Sequence, residues 1–205
     1  MKYDVIAAGV GGQGVLSIAA IISGAARKSG LYSVQSEVHG MSQRGGAVVA
    51  HLRLSDEPIH SATIATGQAD LILALEPVES LRYLSYVAPS GALVTSSDPV
   101  KNIPNYPDLD PIVLEVLKLP RGYAIDATQL ARQCGAGAQA ANVVLVGAAA
   151  DFLPIDELQL RSEIAAVFAR KGERVVEANL KAFEAGRGAL RHRDVVDEFE
   201  TLSVH

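Results

Sequence analysis

Six residues near the start of the chain, Gly9-Val-Gly-Gly-Gln-Gly14, contain four glycines and constrain the fold more than any other segment. The apolar run Tyr3–Ala8 before them predicts a buried strand, and the apolar spacing after them predicts a helix over Val15–Lys28. Glycines permit a tight turn between the two, and the N-terminus of a helix presents free N–H groups and a partial positive charge. The segment therefore predicts a strand, a turn and a helix, with a turn that suits an anion.

The spacing Gly9-x-Gly11-x-x-Gly14 is also that of dinucleotide-binding turns. Such proteins place an acidic residue at the end of the second strand to bind the ribose, and Glu37 lies near that position. Three interpretations stay open at this point: an NAD(P)-dependent oxidoreductase, a site for a phosphate or another anion, and a turn that is purely structural.

The second and third predicted strands, Tyr32–Val38 and Ala47–Leu54, are separated by only eight residues. A parallel crossover needs about a dozen residues or more, usually a helix. We therefore expect strand three to be antiparallel to strand two or to lie elsewhere in the sheet. A dinucleotide-binding half would place a helix here, which weakens the NAD(P) interpretation. The turn residues at 55–58 predict that Ile59–Ala65 forms a hairpin with strand three.

The rest of the chain predicts further strands followed by helices. The strands are expected at Asp70–Leu75, Gly91–Thr95 and Gly122–Asp126, and the last helices at 142–152, 157–170 and 173–188. The predicted fold class is α/β, a Rossmann-like three-layer arrangement with a mixed sheet, an antiparallel hairpin and C-terminal helices. We expect a single domain over residues 1–190 and a charged tail over 191–205.

Composition excludes several function classes. The net charge is −5, from 18 basic and 23 acidic residues, which argues against a nucleic-acid binder. The single cysteine, Cys134, excludes an internal disulfide, favours the cytoplasm and cannot hold an iron–sulfur cluster alone. No run approaches the roughly 20 apolar residues of a membrane helix, so we expect no membrane association. His51 and His60 have no partners at metal-ligand spacing, and no metal site is predicted.

The segment Glu37–Gly46 is the most informative about function, because it gathers acidic, imidazole, hydroxyl, amide and guanidinium groups among three glycines. Functional groups often lie on loops held by a rigid scaffold. Arg44 is suited to binding a carboxylate or phosphate through two hydrogen bonds, and His39 to moving a proton near neutral pH. With Glu37, these are the candidate catalytic residues. The alternative is a polar loop in which Glu37 pairs with Arg44.

Two segments, Gly9–Leu16 and Ser36–Gly46, together resemble the gamma-type subunits of 2-oxoacid:ferredoxin oxidoreductases, and among these the indolepyruvate branch. The second segment is far more specific than the glycine turn. Asn142–Gly147 is similar to an asparagine- and glycine-containing helix of the family. The resemblance covers the α/β core to about Gly147, and the C-terminal helices agree only in general layout.

The resemblance implies a subunit of an enzyme that oxidatively decarboxylates a 2-oxoacid, here an arylpyruvate, to an acyl-CoA and reduces ferredoxin. It implies that thiamine diphosphate, Mg²⁺ and iron–sulfur clusters lie on a large partner subunit, that this chain binds no cofactor alone, and that coenzyme A is a co-substrate. It also implies a set of residues that face substrate, coenzyme A or the partner, beside the candidate catalytic three. The set is Gly11, Gly12, Gln13, Gly14, Gly40, Met41, Ser42, Gln43, Gly45 and Gly46.

Two alternatives remain beside that interpretation. An NAD(P)-dependent oxidoreductase would use the turn Gly9–Gly14 and Glu37, and it would bind NADH as an isolated chain. A non-catalytic assembly subunit would use the loop after strand two only to pack against its partner. A homodimer of the isolated chain is compatible with any of the three.

Overall fold

The computed structural model describes residues 1–39, 45–101 and 103–202, with no side chain described for His39 or for residues 191–202. Its centre is one six-stranded sheet in the order β2-β3-β1-β4-β5-β6. The strands are β1 (Lys2–Val10), β2 (Tyr32–His39), β3 (Ala47–Ser55), β4 (Ala69–Ala74), β5 (Val87–Ser96) and β6 (Gly122–Ile125). β3 is antiparallel to both β2 and β1, whereas β1, β4, β5 and β6 are parallel to one another. The predicted mixed sheet with an antiparallel hairpin is confirmed.

Helices cover both faces of this sheet. They are α1 (Val15–Lys28), α2 (Pro77–Arg82), α3 (Leu109–Leu117), α4 (Ala127–Gln133), α5 (Ala141–Ala149), α6 (Glu157–Phe168) and α7 (Glu173–Leu202). Alternate residues of β1 separate two apolar clusters. Val5 and Ala7 pack with α1, α4, α5, α6 and α7, and Ile6 packs on the other face with Val116 of α3. The period of two along a strand thus produces the predicted three layers.

Helix α5 is buried almost throughout, because every residue from Asn142 to Ala149 has little exposed surface. It lies between the sheet and α7, and the closest approaches to α7 occur at glycines. A Cβ atom on Gly147 would lie 1.9 Å from the carbonyl oxygen of Phe183, and one on Gly186 would lie 1.9 Å from that of Val144. The absence of side chains at these two positions therefore sets the distance between the helices.

Two expectations about the elements are wrong. Ile59–Ala65 forms no strand; instead its backbone is held by side chains of β3, with Ser61 O accepting from Arg53 Nη1 at 2.9 Å and Ile64 N donating to His51 Nδ1 at 3.1 Å. The hairpin partner of β3 is β2 alone. The last helix does not end at Gly188 but continues to Leu202, because a glycine inside a helix costs only about 1 kcal/mol and residues 189–202 contain no proline. The division of the chain at residue 190 stays a prediction.

His51 links β3 to this segment and gives the fold a pH dependence. Its side chain is 7% exposed, its ring packs edge-on against Tyr86, and burial lowers its pKa against a smaller opposing effect of Asp4. Protonation would also remove the acceptor that Nδ1 offers to Ile64 N. The unfolded chain, in which histidine titrates near 6.5, therefore binds more protons than the folded chain below that pH.

We expect the free energy of unfolding to fall as the pH drops below about 6.5, and His51→Asn to flatten this decline. Asparagine keeps an acceptor near the position of Nδ1 and does not titrate. Urea denaturation of both proteins between about pH 5 and pH 7.5 measures the two slopes. Equal slopes for the two proteins would mean that His51 does not contribute.

Candidate functional site

The turn between β1 and α1 depends on two glycines with left-handed backbones, Gly12 at φ +101° and Gly14 at φ +91°. Residues with a Cβ atom rarely adopt this conformation. Gly14 precedes α1 without a side-chain cap, and its carbonyl oxygen accepts from Ser17 N and Ile18 N. The first turn of α1 contains no acidic residue. The N-terminus of α1 therefore keeps its partial positive charge without a carboxylate of its own helix beside it.

Gln13 fixes the turn to the carboxyl ends of two strands. Its Oε1 accepts from Val10 N at 2.7 Å and its Nε2 donates to Leu75 O at 2.9 Å, directly after β4. A Cβ atom on Gly9 would lie 3.0 Å from Gln13 Oε1, so Gly9 makes room for this contact. The amide shapes the turn, and the predicted role of Gln13 towards substrate or partner stays a prediction.

Replacing Gln13 with alanine is expected to lower the free energy of unfolding by about 1–3 kcal/mol, because the backbone groups of Val10 and Leu75 lose their partner. Gln133→Ala is the matched control, since Gln133 is exposed on α4 and should change stability by less than about 0.5 kcal/mol. Chemical denaturation of the two variants checks the difference. Equal midpoints would show that the amide does not hold the turn.

The end of the loop after β2 lies directly against the glycine turn. Gly11 N donates to Gly46 O at 2.8 Å, and Gly45 N donates to Gly11 O at 3.5 Å. In the sheet, His39 is in register with Val48, which in turn is in register with Gly9. The described residues on either side of positions 40–44 therefore bring the two segments that the sequence singled out together at the carboxyl end of β1.

A cavity of about 420 Å³ opens at this edge. Its described lining consists of the turn and its neighbours on β3 and α1: Val10, Gly11, Gly12, Gly14, Val15, Leu16 and Val48. The wall is apolar apart from backbone groups. Such a lining suits the uncharged part of a ligand, with backbone N–H groups available for orientation.

Of the three candidate catalytic residues, the structure describes Glu37 fully, His39 only by its backbone, and Arg44 not at all. Glu37 lies exposed on the edge strand β2, and its Oε1 accepts a hydrogen bond from Gln35 Nε2. His39 is described only as the last residue of β2, and Gly40, Met41, Ser42, Gln43 and Arg44 lie outside the described residues. Their predicted roles stay predictions, as does a pairing of Glu37 with Arg44.

Strand order argues against a dinucleotide site. In a dinucleotide-binding half the second strand lies beside the first, so that its acidic residue reaches the ribose. Here β3 lies between β1 and β2. Glu37 on β2 is therefore two strand spacings, about 10 Å, away from β1. The sequence spacing of the glycines matches, but the strand that should carry the acidic residue is in the wrong place.

A second space beside the turn was not predicted. It is a groove of about 520 Å³ that includes Gly14, Ser17, Asn142, Lys171, Arg174 and Asn179, and we call it the asparagine groove. Asn142 lies so close to the turn that a Cβ atom on Gly14 would be 2.6 Å from its Nδ2. The available sequence signal was an asparagine in the first turn of an otherwise apolar helix. Lys171 and Arg174 lie too far along the chain for any local pattern to connect them with the turn.

In the part of the chain that the structure describes, no three His, Cys, Asp or Glu side chains come together as a metal site. Cys134 is half-buried and donates to Lys181 O at 3.5 Å. Across residues 1–39, 45–101 and 103–202, no helix combines the length and apolar character needed to cross a bilayer.

Comparison with known proteins gives consistent matches. Residues 4–189 match the family "Pyruvate ferredoxin/flavodoxin oxidoreductase". Indolepyruvate oxidoreductase subunit IorB of Thermococcus kodakarensis is 35% identical over 200 residues, which cover 93% of this chain and 96% of that one. The 2-oxoglutarate synthase subunit KorC of Methanothermobacter marburgensis is 28% identical over 91% of this chain and 96% of its own length.

Two solved structures are similar in fold. The gamma subunit of a keto/oxoacid ferredoxin oxidoreductase from Geobacter sulfurreducens has a TM-score of 0.68 at 27% identity, covering 93% of this chain and 99% of that one. The 2-oxoglutarate:ferredoxin oxidoreductase of Magnetococcus marinus, solved with 2-oxoglutarate, coenzyme A and succinyl-CoA bound, has a TM-score of 0.73 at 24% identity. That match covers 93% of this chain but 31% of the other, and it shows the fold alone.

Proposed function

The chain belongs to the pyruvate ferredoxin/flavodoxin oxidoreductase family, and we propose that its glycine turn is one wall of an active site completed by a larger subunit. The chain is the small subunit of a 2-oxoacid:ferredoxin oxidoreductase. The proposed substrate is an arylpyruvate such as indolepyruvate, in keeping with the archaeal relatives named for it. The 2-oxoacid loses CO₂, its acyl group forms a thioester with coenzyme A, and two electrons pass to ferredoxin.

One observation carries the proposal: the hydrogen bonds between Gly11 and the Gly45–Gly46 segment. They join the glycine turn to the end of the loop that contains Ser42, Gln43 and Arg44. A cavity with an apolar wall and backbone N–H groups opens at this junction. An apolar wall suits the pantetheine arm of coenzyme A, and the N-terminus of α1 favours a negatively charged group nearby.

The redox cofactors belong to the partner in this proposal. Clusters are normally held by four cysteines, and this chain has only Cys134. Thiamine diphosphate with Mg²⁺ supplies the decarboxylation chemistry when it is bound to the large subunit. The contribution of this chain is to bind and orient coenzyme A and to exclude water at the shared edge. Ferredoxin would be reached through the complex, which we place in the cytoplasm.

The loop after β2 is the proposed contact with substrate or partner. Arg44 would bind the carboxylate of the 2-oxoacid or a phosphate of coenzyme A, and His39 would hold or move a proton nearby. Glu37 is exposed on the edge strand beside them and would face the large subunit. In the assembled enzyme, Arg44→Ala should raise a Michaelis constant or lower turnover. Unchanged kinetic constants in that variant would show that Arg44 does not take part in the site.

Co-expression with candidate large subunits tests the proposal. The complex should reduce a dye only when indolepyruvate and coenzyme A are both present, and the isolated chain should be inactive. An isolated chain that binds NADH tightly would favour the dinucleotide alternative instead. Loop variants that assemble normally and keep full activity would favour a non-catalytic assembly subunit.

A further inference from the structure

The asparagine groove shares Gly12 and Gly14 with the cavity described above, so the two spaces meet at the glycine turn. The cavity extends towards β3, whereas the groove extends towards the start of α7. The chemistry of the two spaces also differs, because the cavity wall is apolar apart from backbone groups, whereas the groove contains amide and cationic side chains among its apolar residues. The groove therefore suits a different chemical group from the one that the cavity suits.

The charged side chains among the described groove residues are all cationic. The described lining contains Lys171 and Arg174 and no acidic residue, although the whole chain carries a net charge of −5. Among the residues that the structure describes, neither cation forms an ion pair; Lys171 Nζ lies 5.4 Å from the centre of the Phe168 ring. The uncapped N-terminus of α1 adds partial positive charge at the other end. This arrangement attracts an anion.

Two buried asparagines provide an independent indication of a ligand. Asn142 is 6% exposed and Asn179 is 5% exposed, yet each uses only one amide atom within the described protein. Asn142 Oδ1 accepts from Val143 N at 2.8 Å, and Asn179 Nδ2 donates to Val175 O at 2.8 Å. Neither Asn142 Nδ2 nor Asn179 Oδ1 has a hydrogen-bond partner among the described residues. Every described side-chain nitrogen or oxygen atom that is fully buried does have one. Asn142 Nδ2 and Asn179 Oδ1 are therefore open to the groove.

We propose that the asparagine groove binds a phosphoryl group, with Asn142 Nδ2 and the N-terminus of α1 as donors and Lys171 and Arg174 as counter-charges. Phosphate oxygens accept several hydrogen bonds at once, and a helix N-terminus with nearby cations is a common site for them. Asn179 Oδ1 would accept from a hydroxyl or a protonated oxygen of the same ligand. The phosphoryl group is either one carried by coenzyme A or that of a separate phosphorylated molecule.

Calorimetric titration of the full chain with inorganic pyrophosphate, and separately with coenzyme A, tests the site. Saturable binding of pyrophosphate is expected, and Arg174→Gln should weaken it by about tenfold. Arg170→Gln is the matched control, because Arg170 is an exposed cation outside the groove and should change affinity less than about twofold. Asn142→Asp keeps the acceptor for Val143 N and puts a carboxylate in place of Nδ2, which should abolish binding in a chain that still folds.

Competition separates the two sources of the phosphoryl group. If pyrophosphate displaces coenzyme A, the groove holds the phosphates of coenzyme A; if both bind together, it serves a separate phosphorylated ligand. Either result supports the site. Pyrophosphate that does not saturate, or whose affinity is unchanged by Arg174→Gln and Asn142→Asp, would overturn it. These titrations need no activity, so their failure would leave the proposed function untouched, and an inactive complex would leave the groove untouched.

Discussion

Alanine at Gly147 or Gly186 is expected to lower the free energy of unfolding by about 3 kcal/mol or more, a large effect for a single added methyl group. At each position the added Cβ atom would lie 1.9 Å from a backbone carbonyl oxygen of the facing helix. A backbone oxygen cannot rotate away as the end of a side chain can. Helices α5 and α7 would have to separate, although α5 is buried almost throughout.

Gly188→Ala is the matched control on the same helix. A Cβ atom there meets no described atom within 4 Å, and Gly188 is exposed. The change should stabilise the helix slightly, by up to about 1 kcal/mol, because alanine has the higher helix propensity. Urea denaturation of the three variants gives the comparison. A Gly147→Ala chain as stable as the natural one would show that the two helices are not in close contact there.

The second large effect is expected on coenzyme A. Gly12→Ala should raise the KM for coenzyme A in the assembled enzyme by about tenfold or more, equivalent to 1.4 kcal/mol of binding. The added methyl group meets no atom of the described residues within 4 Å and lies where the cavity and the asparagine groove join. It would therefore occupy space that we assign to the ligand.

Gly30→Ala controls for backbone strain in this experiment. Gly30 also has a positive φ, +79°, and a Cβ atom there also meets no atom of the described part of the chain within 4 Å, but it follows the far end of α1. Both variants should lose about 1–2 kcal/mol of stability from the left-handed conformation. Only Gly12→Ala should change the KM for coenzyme A. Identical kinetic constants for the two variants would contradict a ligand at the glycine turn.

Local sequence signals predicted the elements of the fold well. The glycines and the helical spacing after them predicted α1 as Val15–Lys28, the bounds that the structure gives. The short connection between β2 and β3 correctly excluded a parallel crossover. The position of β3 between β1 and β2 could not be predicted, because strand order depends on contacts between distant residues. The prediction of a strand at Ile59–Ala65 was wrong for a related reason. Side chains of β3, rather than a neighbouring strand, form the hydrogen bonds to its backbone.

The site residues likewise fall into those that local sequence could predict and those that depend on contacts between distant segments. The glycines of the site were predictable, because a turn that needs a positive φ favours glycine, which can be read directly from the sequence. The hydrogen bond between Gly11 and Gly46 brings the glycine turn and the end of the loop after β2 together. Asn142, Lys171, Arg174 and Asn179 were missed, because they reach the turn from helices more than 120 residues further along the chain. Only the tertiary packing of α5, of α7 and of the residues just before α7 brings them there.

Hydrogen exchange of the chain, alone and in complex with its large subunit, tests most directly whether the glycine turn is a wall of a shared site. If it is, amides of residues 9–16 and 45–48 should exchange more slowly in the complex, and more slowly still when coenzyme A is added. Gly11 N and Gly45 N, which join the two segments, should be among the protected amides. Unchanged exchange at both segments, with protection elsewhere on the chain, would show that the glycine turn is not part of a shared site.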